Sequence, residues 1–139
     1  YLGGVRDAEF TKAYLEKNLL HWETFGFGVW VLRELGGGEP IGRAVLRHLL
    51  VDDFDEVEVG YAFYPPYWGR GLATEVPRAC LEFGFDLLAL DTIVGVTHPH
   101  NFGSQHVLRK CGLVYEREFI HHGDTCALFR TALRRRVVM

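Results

Sequence analysis

The 139-residue chain is short of most features that would narrow its chemistry at once. Its three cysteines, Cys80, Cys111 and Cys126, are odd in number and widely scattered, with no Cys-x-x-Cys spacing and no His-x-x-x-His pairing beside them. That argues against a zinc site or any other metal site, and the three read as reduced thiols of a cytoplasmic protein. A cysteine nucleophile needs a His or Asp partner, and none can be placed beside any of them from the sequence. No apolar run reaches the ~18 residues of a membrane span. The opening Tyr1-Leu2-Gly3-Gly4 lacks the pattern of a secretory signal. A formal net charge of −3 leaves no electrostatic footprint for nucleic acid, and the basic run Arg134-Arg135-Arg136 reads as a solvated tail. Repeats, low-complexity tracts and linkers are absent too. With 48% apolar residues the chain reads as one domain over 1–139.

What the chain does have is Tyr-Trp-Gly-Arg-Gly-Leu-Ala-Thr-Glu at 67–75, directly after a strand-like run, Val57 to Phe63. A strand that turns through glycines into a helix presents several unpaired backbone N–H groups at the positive end of the helix dipole. Gly69 and Gly71 carry no side chain to block a close approach, so the segment reads as a pyrophosphate cradle. It is not a dinucleotide fingerprint, because position 74 is Thr where the third glycine belongs. Nor is it a Walker loop, because Leu72 and Ala73 follow Gly71 where Lys-Ser/Thr is required. On its own it is also compatible with a plain turn between strand and helix.

Apolar periodicity and turn residues organise the rest. Asp7 caps a helix running to about Trp22, with Phe10, Tyr14, Leu15, Leu19 and Trp22 at helical spacing. Phe27–Arg33 and Ile41–Leu50 form a hairpin around Gly36-Gly37-Gly38-Glu39-Pro40. Asp52 to Asp55 is a polar connection, and Glu56–Tyr64 is a strand stopped by Pro65-Pro66. A helix over about Leu72–Leu88 buries Leu72, Val76, Ala79, Cys80, Phe83 and Leu87, with Pro77 loosening it near Ala73. Thr92–Thr97 is a strand, Asn101 caps a helix to Cys111, and Gly112 closes it. Leu113–Ile120 and Thr125–Leu133 pair around His121-His122-Gly123-Asp124. The order α–β–β–β–α–β–α–β–β predicts an α+β fold with one mixed, largely antiparallel sheet flanked by helices.

These residues resemble the GNAT superfamily of acyl-CoA-dependent N-acetyltransferases. The resemblance rests on Gly69-x-Gly71 opening a helix after a strand, on Pro99-His100-Asn101-Phe102-Gly103-Ser104 after the next, and on Arg109-Lys110-Cys111-Gly112-Leu113. The Tyr-Trp-Gly-x-Gly-x-Ala-Thr-Glu wording, Gly26-Phe27-Gly28-Val29-Trp30 and the Asn-x-x-Ser helix start are similar to the RimJ/RimL branch. The match runs nearly the whole length. The family usually begins with a further strand and helix ahead of the position of Tyr1, so the domain is expected to be N-terminally shortened. Pro66 stands where the wider superfamily often has Gln or Arg, which touches a backbone-made cradle little.

The resemblance implies acetyl transfer from acetyl-CoA to a primary amine in a ternary complex, the amine being a protein N-terminus, as in ribosomal-protein acetyltransferases, or a small amine. It implies that the acyl-CoA arm lies along the strand ending near Phe63 and Tyr64. The backbone N–H groups of Trp68, Gly69, Arg70, Gly71 and Leu72, with Ala73, would hold the pyrophosphate, and a backbone N–H near Phe63 would meet the thioester oxygen. Asn101 would bond the pantetheine arm while capping its helix. Ser104 would protonate the departing thiolate, although it is equally a first-turn helix serine. Glu58, on the same strand face as Gly60 and Ala62, is the candidate base and Glu118 the runner-up, with Tyr115 and His121 further out. Arg70 is either a charge on the pyrophosphate or a solvated turn arginine. No metal, nucleic acid or membrane partner is implied, and pairing into a homodimer is left open. The alternative is a non-catalytic acyl-CoA-binding or sensing module.

Overall fold

The computed structural model describes residues 7–132. The notable local surprise is a tight turn: Asp52 and Asp53 both adopt positive φ, 47° and 69°, and reverse the chain in two residues. This is the turn geometry that suits the twist of paired strands. The segment read as a polar connection is therefore the tip of a long hairpin, β2 (Gly42–Val51) and β3 (Phe54–Phe63), whose register places Arg47 opposite Glu58 and Gly42 opposite Phe63. A similar tip, His122 (φ 50°) and Gly123 (φ 83°), joins β5 (Leu113–His121) to β6 (Asp124–Thr131), with a bulge between Tyr115 and Arg117.

Helix α1 (Ala8–Phe25) starts where the Asp7 carboxylate accepts from the Phe10 N–H at 2.8 Å, and it ends where Gly26 turns left-handed at φ 75°. It runs about a turn further than its apolar pattern indicates, and Leu15 and Leu19 are exposed rather than in the core. Polar and aromatic contacts attach it instead. The Trp22 indole donates to the Val29 carbonyl at 3.0 Å, and His21 bridges the Phe27 carbonyl at 2.7 Å and the His48 N–H at 3.0 Å. Because the His21 Nε2 accepts from His48, its Nδ1 must be the donor to Phe27. The imidazole thus continues the ladder of β2 where β1 (Val29–Leu32) has ended.

The six strands form one sheet in the order β1-β2-β3-β4-β6-β5, with β4 at Val94–Thr97. All neighbours are antiparallel except β3 and β4, which confirms the predicted mixed, mainly antiparallel sheet flanked by helices. Helices α2 (Leu72–Asp86) and α3 (Phe102–Lys110) cover one face, where Leu46, Val57, Val59, Cys80, Leu81, Ile93, Leu108 and Phe129 form the main core. A smaller cluster, Val51, Val94, Phe119 and Leu128, lies on the other face. A Cβ on Gly95 would stand 2.6 Å from a Leu108 methyl, so any larger residue there would force the Leu108 side chain between α3 and β4 to shift.

Pro77 lies inside α2 with its ring fully buried, and the helix continues through it. A buried ring partly offsets the lost hydrogen bond. The buried stripe is Pro77, Cys80, Leu81 and Gly84. Ala79 and Leu87, expected in the core, are exposed, because the stripe set by Pro77 is rotated by about one residue.

Candidate active site

The parallel pair β3 and β4 shares a single register position, Glu58 with Val94. Beyond it β3 continues to Phe63 and β4 to Thr97 without pairing, so the sheet forks there. Hydrogen bonding alternates in direction along β3. Tyr64 N–H donates to the Ile41 carbonyl at 3.0 Å, so residues 62, 60 and 58 also bond toward β2. The N–H groups of Tyr61 and Phe63 then point the other way, into the fork. The Phe63 N–H, expected from the sequence to meet a carbonyl oxygen, therefore points into the fork and has no acceptor among the described residues. Tyr64 differs: its N–H is spent on β2, and its side chain is exposed.

At the mouth of the fork, a short 3-10 turn, Pro65–Tyr67, leads into Gly69 and Gly71, at φ 76° and 77°. Gly71 is the N-cap of α2 and has no side chain to fill the cap. Its carbonyl accepts from Thr74 and Glu75, whereas the N–H groups of Gly69, Arg70, Gly71, Leu72 and Ala73 meet no acceptor among the described residues. No heavy atom stands within 4 Å of where a Cβ on either glycine would lie. Five unpartnered donors around open space at a helix N-terminus suit an anion such as a pyrophosphate. Trp68 is a correction: its N–H donates to the Pro65 carbonyl at 3.1 Å, and its indole donates to the Phe63 carbonyl at 2.9 Å. It braces the turn and contributes no backbone donor. Arg70 is ion-paired with Glu34 at 3.1 Å and lies over the Tyr67 ring, so it ties the cradle to the β1–β2 loop.

Asn101 caps α3, its Oδ1 accepting from the Ser104 N–H at 3.1 Å. Its amide NH2 has no bond to the described residues and remains available to a ligand. Ser104 is half-buried in the first turn of α3, near enough to Tyr61 for its hydroxyl to act on the phenol. The Tyr61 phenol is raised above its ordinary value: burial pushes it up more than the Ser104 contact lowers it, and Cys111 adds to the rise. Tyr61 was missed by sequence reasoning. Alternation from Phe63 puts it on the helix side of β3, which the sequence could have revealed.

Glu58 sits at the base of the fork on the face away from α2 and α3, together with Gly60 and Ala62, as alternation predicted. Its carboxylate accepts from Arg47 Nε at 2.8 Å, and both side chains are largely buried. Ser104 and Glu58 therefore flank the fork from opposite faces. Glu118 is not brought to it. It is exposed on the edge strand β5, next to the buried Phe119 and so turned to the opposite face from Glu58. Three strand spacings, roughly 14 Å, separate β5 from β3. Tyr115 packs edge-on against Phe129 in the core. His121 shares the Glu58 face, and its pKa is lowered, first by burial, then by His122, with Arg47 and Lys17 adding to the effect against Glu58.

The cysteine thiols are raised by burial, that of Cys80 to about 11, which is the environment of inert thiols. No group of three or more His, Cys, Asp or Glu suited to a metal ion occurs among the described residues, and no described helix is long and apolar enough to cross a membrane.

A forked sheet with an anion cradle at its mouth defines an acyltransferase fold of the kind that binds acyl-CoA. The chain belongs to the Acetyltransferase (GNAT) domain family, which matches residues 1–114. It is similar to an acetyltransferase of Agrobacterium tumefaciens str. C58, at 28% identity and a TM-score of 0.80, covering 93% of this chain and 74% of that one. It is 27% identical over 117 residues to the uncharacterized protein YkkB of Bacillus subtilis, covering 84% of this chain and 68% of that protein. It is 32% identical over 106 residues to the FsC-acetyl coenzyme A-N(2)-transacetylase of Aspergillus fumigatus, covering 72% of this chain but only 44% of that protein.

Proposed function

We propose that this chain is an acetyl-CoA-dependent N-acetyltransferase that brings a primary amine to the thioester by direct attack in a ternary complex. One observation carries the reading: the fork between β3 and β4 has the unpartnered N–H groups of Gly69–Ala73 at its mouth and the Phe63 N–H inside it. Acetyl-CoA supplies the activated acyl group; everything else falls to the chain. The cradle holds the pyrophosphate, and the Asn101 amide group takes a carbonyl of the pantetheine arm. Phe63 N–H steadies the thioester oxygen as it gains charge, a kind of donor worth about 2.7–4 kcal/mol where it has been measured.

Tyr61 and Ser104 form the proton-donating pair on the helix side. A phenol raised above 10 stays protonated at neutral pH and passes its proton, through or beside Ser104, to the departing sulfur. On the other face Glu58 is the candidate acceptor of the amine proton, held in place by Arg47. The amine reaches the carbonyl from that face, so donor and acceptor do not compete for one entrance. The RimJ/RimL-like wording of the 67–75 motif supports a protein N-terminal α-amine as acceptor, and the three free cysteines suit a cytoplasmic setting.

Thiol release from acetyl-CoA, followed with a disulfide reporter in the presence of peptide N-termini and small amines, tests this. Amine-dependent release with a stoichiometric acetyl-amide product is expected. Tight acetyl-CoA binding with no release for any amine would leave the non-catalytic binding module as the correct reading.

A further inference from the structure

The face of β2 and β3 from which the amine would approach carries more positive charge than it neutralises. Arg43 and Arg47, four residues apart on β2, converge on one phenol: the Tyr14 hydroxyl accepts from Arg43 Nη1 at 2.7 Å and lies 3.4 Å from Arg47 Nη1. Both guanidiniums lie against its ring, at 5.2 and 5.9 Å from the centroid. Arg47 is neutralised by Glu58. Arg43 meets no carboxylate among the described residues, and residues 1–6 and 133–139 contain no Asp or Glu. Lys17, His121 and His122 lie nearby, and none of them can supply a negative charge. On β3, Ala62 lies opposite Arg43, Gly60 opposite Val45 and Glu58 opposite Arg47, so the residue between Arg43 and the fork is small.

Two cations drawn to one neutral oxygen, with one anion between them, form a site that lacks a partner. A guanidinium offers a planar fork that matches a carboxylate in two hydrogen bonds. We infer that the acceptor is an amine that also bears a carboxylate, seated on Arg43 while the nitrogen lies between Glu58 and the fork. The inference rests on the acetyltransferase reading and deepens it by naming the acceptor's class. It runs against a polyamine, which the unneutralised Arg43 would repel, and it outweighs any preference for cations that a net charge of −3 would suggest. The shared chemistry has two sources: a free amino acid, or a peptide whose N-terminal residue is acidic.

The test uses acceptor pairs that differ only in the carboxylate: β-alanine against β-alaninamide, and Asp-Ala-Ala-amide against Asn-Ala-Ala-amide, with spermidine as the cationic control. Binding is titrated calorimetrically with CoA present, so no turnover is needed. The carboxylate partner of at least one pair should bind about 10- to 100-fold more tightly, the range for a hydrogen-bonded charge. The first pair reports a free amino acid and the second an acidic peptide terminus. Arg43→Met should bring each pair to within about 3-fold, and Arg43→Lys should retain part of the preference by keeping the charge without the fork. Equal binding within both pairs, tighter binding of spermidine, or a preference that survives Arg43→Met would overturn the inference. Thiol release with the same amines separates the two levels. Carboxylate-selective binding without release contradicts the acetyltransferase reading alone, and release without selectivity contradicts the anion site alone.

Discussion

Substituting Gly69 separates two effects that most mutations confound. The residue sits at φ 76° with nothing within 4 Å of a Cβ, so any side chain meets open space but a disfavoured backbone. Ala there costs about 1 kcal/mol of folding stability, which lowers Tm by about 4 °C in a domain this size. Asp tolerates the left-handed region better than Ala and should cost less. Affinity for acetyl-CoA should rank the other way. A carboxylate about 5 Å from one pyrophosphate charge repels it by roughly 0.8 kcal/mol in water and roughly 3.3 kcal/mol at the screening of a protein surface. That corresponds to a loss of about 4-fold to about 250-fold. Gly69→Asp should therefore melt above Gly69→Ala yet bind more weakly, and the affinity gap should narrow as salt is raised. Isothermal titration of acetyl-CoA, paired with thermal melts of the same samples, reads both orders. If Gly69→Asp bound acetyl-CoA within two-fold of the unmodified chain, the pyrophosphate would not lie at this turn.

Four further outcomes are expected. Ser104→Ala and Tyr61→Phe should each lower kcat by about 10- to 100-fold with little change in acetyl-CoA affinity, and an unchanged kcat in either would remove that residue from the proton path. Because the Tyr61 phenol is raised, its donating form persists until the pH exceeds 10, so no loss of kcat from this group is expected between pH 7 and 9. Arg130 bonds Glu56 of β3, Glu116 of β5 and Thr92, and Arg130→Met should destabilise the fold by about 2 kcal/mol in denaturant melts. The bond from Arg130 is the main cause of the lowered Glu116 pKa. Its contribution is present above the ordinary carboxylate range and lost as the pH falls through the lowered value. The variant should consequently lose less stability on acidification than the unmodified chain does. Finally, with its thiol raised to about 11, Cys80 should resist iodoacetamide at pH 8 in the native state and react on unfolding; rapid native labelling would contradict its burial.

The order of elements was legible because caps and turns carry it: Asp7, Asn101 and Gly112 mark helix ends by chemistry that needs no tertiary context. The glycine turn before α2 was legible for the same reason, since Gly69 and Gly71 act through the backbone. Side-chain partnerships were not. Asp52-Asp53 lacks the glycine that announces a two-residue turn, so its hairpin was read as a connection. Once that turn is recognised, the register follows by counting outward, and Arg47 falls opposite Glu58 without further information. The ion pair on the candidate base was thus one turn away from being predicted. Glu118 failed differently. The bulge between Tyr115 and Arg117 shifts the alternation of β5, and no residue pattern there announces it. The Trp68 N–H was misassigned because the 3-10 turn at Pro65–Tyr67 captures it locally.

If acetyl-CoA lies in the β3–β4 fork with its pyrophosphate on the turn before α2, the backbone amides there must sense it. A nitrogen–proton correlation spectrum of the labelled chain, titrated with acetyl-CoA, reports each N–H separately. Large shifts are expected for Gly69, Arg70, Gly71, Leu72, Ala73 and Phe63, with Trp68 and Tyr64 moving little because their N–H groups are already bonded. Shifts centred elsewhere in the chain, with these six amides unmoved, would contradict that placement.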